Sequence, residues 1–91
     1  MKYYRFTGES DLGYEIANHY MEVDEQRDFV TRQIENYREL WRHGYFDGKK
    51  AVGYITDRYA SELDFTESEE ISRTEFEQMW ERAGGPINIG G

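Results

Sequence analysis

Hydrophobic residues recur along this chain mostly at intervals of three and four. Between Asp24 and His43, Val30, Ile34, Tyr37 and Trp41 stand at i, i+4, i+7 and i+11, with Phe29 and Leu40 widening the stripe. That spacing predicts a long amphipathic helix, with Asp24 as N-cap, Glu25 in the first turn and Gly44 as the stop. Leu12, Ile16, Tyr20 and Val23 repeat the pattern and predict an earlier helix from about Ser10 to Met21, although Gly13 inside it costs about 1 kcal/mol relative to alanine. A last helix is expected near the C-terminus. There Thr74 and Glu77 have the spacing of a capping box, and Phe76, Met79, Trp80 and Ala83 form a narrow apolar stripe.

Elsewhere the period shortens. Lys2–Thr7 is aromatic and β-branched enough for a strand that Gly8 ends, and Asp47-Gly48 after Tyr45 and Phe46 signals a turn into a strand around Ala51–Thr56. Arg58–Phe65 alternates through Tyr59, Ser61, Leu63 and Phe65, with a helical turn at 57–63 as the other option, and Glu69–Arg73 reads as a short extended segment. The order β-α-α-β-β-α predicts an α+β fold, a small antiparallel sheet carrying about three helices. Residues 1–83 are expected to form one globular domain, and the glycine-rich run 84–91, with the chain's single proline at Pro86, a flexible tail.

Composition narrows the classes. Eight Tyr, five Phe and two Trp in 91 residues argue against a disordered acidic chain. There is no cysteine, which removes disulfides and thiolate metal sites and suits a reducing compartment. No apolar run of signal-peptide or membrane-spanning length is present, so a cytoplasmic location is expected. Charge is the strongest signal: 19 acids oppose 11 bases for a net of −8. Residues 1–36 carry 8 acids and 4 bases, residues 37–60 carry 3 and 5, and residues 61–91 carry 8 and 2. Such a field repels nucleic acid and anionic lipid and attracts cationic protein surfaces.

Candidate chemistry is sparse. On a helix, Glu15, His19 and Glu22 at i, i+4 and i+7 would sit within reach of one divalent metal, but His19 borders the apolar stripe and is the more ordinary case of a hydrogen-bonded histidine, so no metal or other cofactor is expected. His43 falls near a predicted helix C-terminus, where capping is its default role. Ser10, Ser61, Ser68 and Ser72 lack a nucleophile-elbow context, and neither glycine-rich phosphate-loop pattern occurs, so the expectation is a protein that is not an enzyme. Arg38, Arg42, Lys49, Lys50 and Arg58, interleaved with Trp41, Tyr45, Phe46, Tyr54 and Tyr59, have the composition of a single-strand binding surface. The overall charge opposes it, and direct nucleic-acid binding is not expected.

The acids from Glu62 to Glu81, eight against the single base Arg73, carry the sharper hypothesis. Glu67, Glu69, Glu70, Glu77 and Glu81 would present spaced negative charge to a basic protein surface, and Tyr59 and Phe65 would add contact area. Such a face imitates a nucleic-acid backbone; its plainer role is to keep a small domain soluble. In size, acidity and lack of active-site signatures the chain resembles the heterogeneous small proteins, anti-CRISPR and anti-restriction inhibitors among them, that phages and mobile elements use against host defence. The resemblance implies an inhibitor of a nucleic-acid-binding host protein. The alternative expectation is a structural or regulatory homo-oligomer sharing the apolar face of residues 29–41.

Overall fold

Tyr3, Tyr4 and Phe6 fall alternately on the two sides of the first strand, and the same two-residue alternation, rather than a helical one, runs through most of the chain. The computed structural model describes residues 1–10, 13 and 15–87. Strands β1 (Lys2–Glu9), β2 (Ile16–Asp24), β3 (Phe29–Tyr37), β4 (Leu40–Asp47) and β5 (Lys50–Gly53) form an antiparallel meander. A crossover containing a 3₁₀ turn (Ala60–Glu62) then returns the chain to the far edge, where β6 (Glu69–Ile71) pairs with β1, and helix α1 (Arg73–Arg82) follows. The sheet order is β5-β4-β3-β2-β1-β6.

The expected α+β fold with about three helices is therefore corrected to a six-stranded antiparallel sheet with one α-helix among the described residues. The segment read as a helix from Asp24 to His43 is a turn, the whole of β3 and part of β4; most of the described part of the earlier one is β2. Four residues are two full strand alternations, so an i, i+4 spacing satisfies both periods. Here it also misleads about faces. The β2–β3 register shifts by one residue between Glu22 and Val23, leaving Thr31 as the extra residue of a bulge. Val30 thus joins one core and Ile34 the other, although they stand four apart. Leu12, part of the first predicted stripe, lies outside the described residues.

The helix-start signal at Asp24 is locally real. Its carboxylate accepts the backbone N–H groups of Gln26 (3.1 Å) and Arg27 (3.2 Å), the bonds an N-cap would accept, but they close the β2–β3 turn instead. Gly44, read as a helix stop, is a buried strand glycine against which the backbone of Tyr54 packs; a Cβ would collide with the Tyr54 carbonyl. Strand β1 runs through Gly8 to Glu9, and the Asp47-Gly48 turn forms as expected, with Gly48 at φ +62°. The C-terminal helix is capped two residues earlier than its sequence suggests, with Ser72 Oγ accepting Glu75 N–H at 3.1 Å.

Both faces of the sheet are covered. On one, Phe76, Trp80 and Ala83 of α1 and its C-cap pack on Tyr3, Tyr20, Ile34 and Ile71. On the other, the crossover lays Ile55, Ala60, Leu63 and Phe65 over Tyr4, Phe6, Met21, Val23 and Val30. Of the apolar stripe of residues 29–41, Val30 and Ile34 are fully buried within this chain, whereas Phe29 and Leu40 are exposed. After α1 the chain folds back: Gly85 N–H donates to the Trp80 carbonyl and Trp80 Nε1–H to the Pro86 carbonyl at 2.9 Å. Residues 88–91 of the expected tail lie outside the described residues.

Candidate functional site: the acidic edge

Two buried polar clusters fix the frame on which the surface charge is displayed. On the helix face, Arg32 of β3 donates from Nε (2.9 Å) and Nη2 (2.6 Å) to Glu22 of β2, and from Nη1 (3.2 Å) and Nη2 to Glu77 of α1. Its guanidinium stacks 4.9 Å from the Phe76 ring and 5.1 Å from the Trp80 ring, so one cation is shared by two carboxylates and two aromatic faces. Burial alone would raise the Glu22 carboxyl, but hydrogen bonds from Arg32 and Thr31 outweigh it and hold Glu22 below the usual carboxylate value. Burial lowers Arg32 in the same way, and the bonds to Glu22 and Glu77 carry it above its ordinary range.

On the crossover face, Glu35 is almost wholly buried and collects the donors around it. Ser10 Oγ (3.0 Å) and Arg42 Nε and Nη2 (3.1 and 2.8 Å) donate to Oε1, and the Tyr54 hydroxyl (3.2 Å) to Oε2. His19 Nδ1 lies 3.9 Å from Oε2; its Nε2 lies 3.3 Å from the Gly8 carbonyl, and its ring stacks on Phe6. Among the described residues no buried side-chain polar atom lacks a partner. Ser10, His19 and Glu35 are therefore committed to one another or to the backbone, inside the protein.

The helical Glu15-His19-Glu22 triad does not form. Glu15 precedes β2 and pairs with Arg38, while His19 and Glu22 point to opposite faces of the sheet. Among the described residues no group of three His, Asp or Glu side chains is arranged to hold a metal ion. His43 lies on β4, yet it does serve a helix end: its Nδ1 is 3.0 Å from the carbonyl of Ala83, the C-cap of α1.

The basic and aromatic middle segment is dispersed. Arg38 pairs with Glu15 at the β3–β4 turn, Arg42 lies against Glu35 and over the Tyr54 ring, Lys49 is in the β4–β5 turn and Lys50 begins β5.

Acids gather at the opposite edge. Glu69 and Glu70 lie on edge strand β6, Glu67 on the turn before it, and Glu75 and Glu81 on α1, all exposed. Arg5 of β1 pairs with Glu69 at 3.0 Å, and that hydrogen bond, more than the accompanying attraction to Glu69, raises Arg5 above its ordinary range. Glu77, grouped with these acids by sequence, turns inward to Arg32. Phe65 is half-buried and stacks on Tyr4, with ring centroids 4.4 Å apart. Tyr59 is exposed but belongs elsewhere, stacked on Phe29 at the β2–β3 turn. The β6 edge thus brings together Glu67, Glu69 and Glu70, with Phe65 beside them on Tyr4, the register partner of Glu70; Glu77 and Glu81 lie farther along α1, whose C-cap meets His43 of β4, and Tyr59 lies at the β2–β3 turn.

Sequence reasoning missed Arg32 and Glu35 and gave Glu22 and Arg42 other roles than the buried pairing they have. The available signal was charged residues inside segments rich in Val, Ile, Tyr and Trp, which on a covered strand must pair. Compared with protein-family models, with characterised proteins and with solved structures, the chain matches none. Among the described residues no helix is long and apolar enough to cross a membrane.

Proposed function

We propose that this chain is a non-enzymatic protein-binding module that presents the carboxylates of the β6–α1 edge to a basic surface of a partner. The observation that carries the reading is the placement of Glu67, Glu70 and Glu75, exposed at the β6 edge and the first turn of the helix that follows it, while Lys50 occupies strand β5 at the other edge. Six strands at about 4.8 Å spacing put those edges about 24 Å apart. That is roughly three Debye lengths at physiological ionic strength, so a partner meets the acidic edge with little interference from the basic one. Carboxylates fixed on a strand and a helix attract a cationic surface at a distance and keep their spacing on contact, which favours fast and selective association.

The partner class that suits such a face is a nucleic-acid-binding protein whose basic channel otherwise holds phosphates, which makes the module an inhibitor of the anti-defence type. A non-enzymatic role is supported by the commitment of Ser10, His19 and Glu35 to internal hydrogen bonds.

The test is retention of heparin-binding proteins from the source cell on the immobilised chain. The wild type should hold a basic protein that duplex DNA elutes, and the Glu67→Lys/Glu70→Lys/Glu75→Lys variant should not. Equal retention by both would sink the reading. Glu77 is left intact because its reversal would break the Arg32 cluster.

A further inference from the structure

Besides the acidic edge, the molecule has a surface of different character at the β2–β3 and β4–β5 turns. Phe29 and Tyr59 are 39% and 53% exposed, and Phe46 lies beside Phe29, half-buried. The Phe29 ring is a shared wall. Tyr59 stacks on it at 5.5 Å and 24° and stands outside, while a mostly carbon-walled cleft of about 490 Å³ opens against Phe29 and Phe46, whose ring centroids are 6.4 Å apart. Knob and hollow therefore lie side by side. The cleft wall carries charge of both signs: Arg27, which pairs with Asp24 at 3.8 Å, Lys49 and Asp57. Lys49 and Asp57 are exposed, and among the described residues neither has an ion-pair partner.

The knob is held in place. Asp28 adopts φ +61°, a left-handed conformation that residues other than glycine rarely take. From there its carbonyl accepts Ala60 N–H (2.8 Å), and its carboxylate accepts Ser61 N–H (2.7 Å) and the Ser61 hydroxyl (2.6 Å). The crossover is thereby fastened to the β2–β3 turn, and a backbone bridge sets Tyr59 against Phe29. Folding alone would favour burying these rings; instead they are fixed at the surface, where a partner meets them with little ordering left to do. Aromatic anchors of this kind concentrate in the buried centre of protein interfaces.

We propose that this patch is a two-fold interface between two copies of the chain, in which Tyr59 of each copy enters the Phe29–Phe46 cleft of the other and Lys49 of each meets Asp57 of the other. Self-complementarity selects the occupant. A two-fold interface needs every feature and its complement on one patch, because residue i meets j and j meets i. Here the projecting ring and the hollow are both present, and so are a cation and an anion that no internal ion pair uses. A wall of mixed sign gives no net attraction to a polyanion or to a polycation, whereas the two-fold matches both charges at once. This inference does not rest on the acidic-edge reading, because the two surfaces share no residue.

The experiment is sedimentation velocity of the full chain from about 1 µM to about 1 mM at physiological ionic strength, where repulsion between two chains of net charge −8 is screened. A monomer–dimer equilibrium is expected, weakened at least about tenfold by Tyr59→Ser, by Lys49→Asp and by Asp57→Lys, each in a variant whose melting temperature confirms folding. The deciding arm mixes the two charge variants. Lys49→Asp and Asp57→Lys chains should each be largely monomeric alone and dimerise when combined, because only the mixed pair sets unlike charges at both contacts of the two-fold. A mixture no more associated than its components would overturn the proposal, as would a dimer indifferent to Tyr59→Ser and to both reversals. A chain that is monomeric throughout the range would leave the patch to an unlike partner, and a dimer lost only in the Glu67→Lys/Glu70→Lys/Glu75→Lys variant would place self-association at the acidic edge; either result overturns the assignment. The charge reversals of the acidic-edge test leave Tyr59, Lys49 and Asp57 untouched, so the two ideas fail separately.

Discussion

Arg32 and Glu77 lie forty-five positions apart and are joined by two hydrogen bonds, which tie α1 to the centre of the sheet. The same guanidinium neutralises Glu22 beneath it, so the junction between helix and sheet is ionic at one end and aromatic at the other, where Phe76 and Trp80 pack. Removing Arg32 leaves Glu22 buried without its cation. Arg32→Met is expected to destabilise the domain by about 3–5 kcal/mol, and pairing it with Glu22→Gln should recover a large part of that loss. Glu77→Gln, at the exposed end of the cluster, should cost only about 1 kcal/mol. Urea unfolding of the wild type and these three variants measures all three effects, and an Arg32→Met loss no larger than that of Glu77→Gln would refute the shared-cation account.

Acid should unfold the protein through this cluster. Glu22 is held below its unfolded value, so its contribution is fully present above the unfolded carboxyl pKa of about 4.3 and is lost as pH falls through the lower folded value. Stability should therefore decline most steeply below about pH 4. Glu22→Gln should flatten that decline while lowering stability at neutral pH. Tyr3 acts at the other limb. Burial first, and Glu22 second, raise its hydroxyl, so its contribution is present below about pH 10 and is lost as pH rises through the folded value. Melting temperature against pH for wild type, Glu22→Gln and Tyr3→Phe tests both signs.

These clusters also show what the sequence made readable. The C-terminal helix was legible because Phe76, Trp80 and Ala83 repeat at three and four with no competing strand period, and β1 was legible from its aromatic and β-branched residues. Strands β2 and β3 were not. Their Glu, Gln and Arg residues favour helices, the Asp24 carboxylate makes the hydrogen bonds of a helix cap, and the Thr31 bulge puts Val30 and Ile34 on different faces while keeping a helical spacing. The buried partnership of Arg32 with Glu22 and Glu77 was beyond reach for the same reason, since two of its three members sit on strands read as helices. Of the acidic edge, composition located the region, but only the fold separates the exposed Glu67 and Glu70 from the inward-turned Glu77.

Gly44 gives a test of packing between β4 and the chain beyond β5. The backbone of Tyr54 occupies the space a Cβ would need, and Tyr54 N–H donates to the His43 carbonyl at 2.9 Å. Gly44→Ala must push that segment away, straining the Tyr54 hydroxyl's bond to Glu35 as well. A loss of about 1–3 kcal/mol is expected, the range for overpacking a filled site. Gly48→Ala, in a left-handed turn with open space around it, should cost about 1 kcal/mol from conformation alone. Thermal unfolding of the pair separates collision from backbone strain, and equal losses would show that the Tyr54 backbone yields freely.

Asp28 offers the opposite balance, because its strained backbone and its hydrogen bonds can be removed separately. Asp28→Gly relieves the left-handed conformation but deletes both carboxylate bonds to Ser61, while Asp28→Asn keeps the strain and one acceptor oxygen. Charge-assisted bonds contribute about 1.5–3 kcal/mol each when sheltered and less at an exposed site such as this one. Their loss should still exceed the roughly 1 kcal/mol of relieved strain. Both variants should therefore be less stable than wild type, Asp28→Gly by about 1 kcal/mol. The sharper signature is local: with the clamp gone, amide hydrogen exchange at Ala60 and Ser61 should accelerate far more than at Ile34 in the fully covered strand β3. An Asp28→Gly protein as stable as wild type, with unchanged exchange at those amides, would mean that Tyr59 is held against Phe29 by ring stacking and the backbone bridge alone.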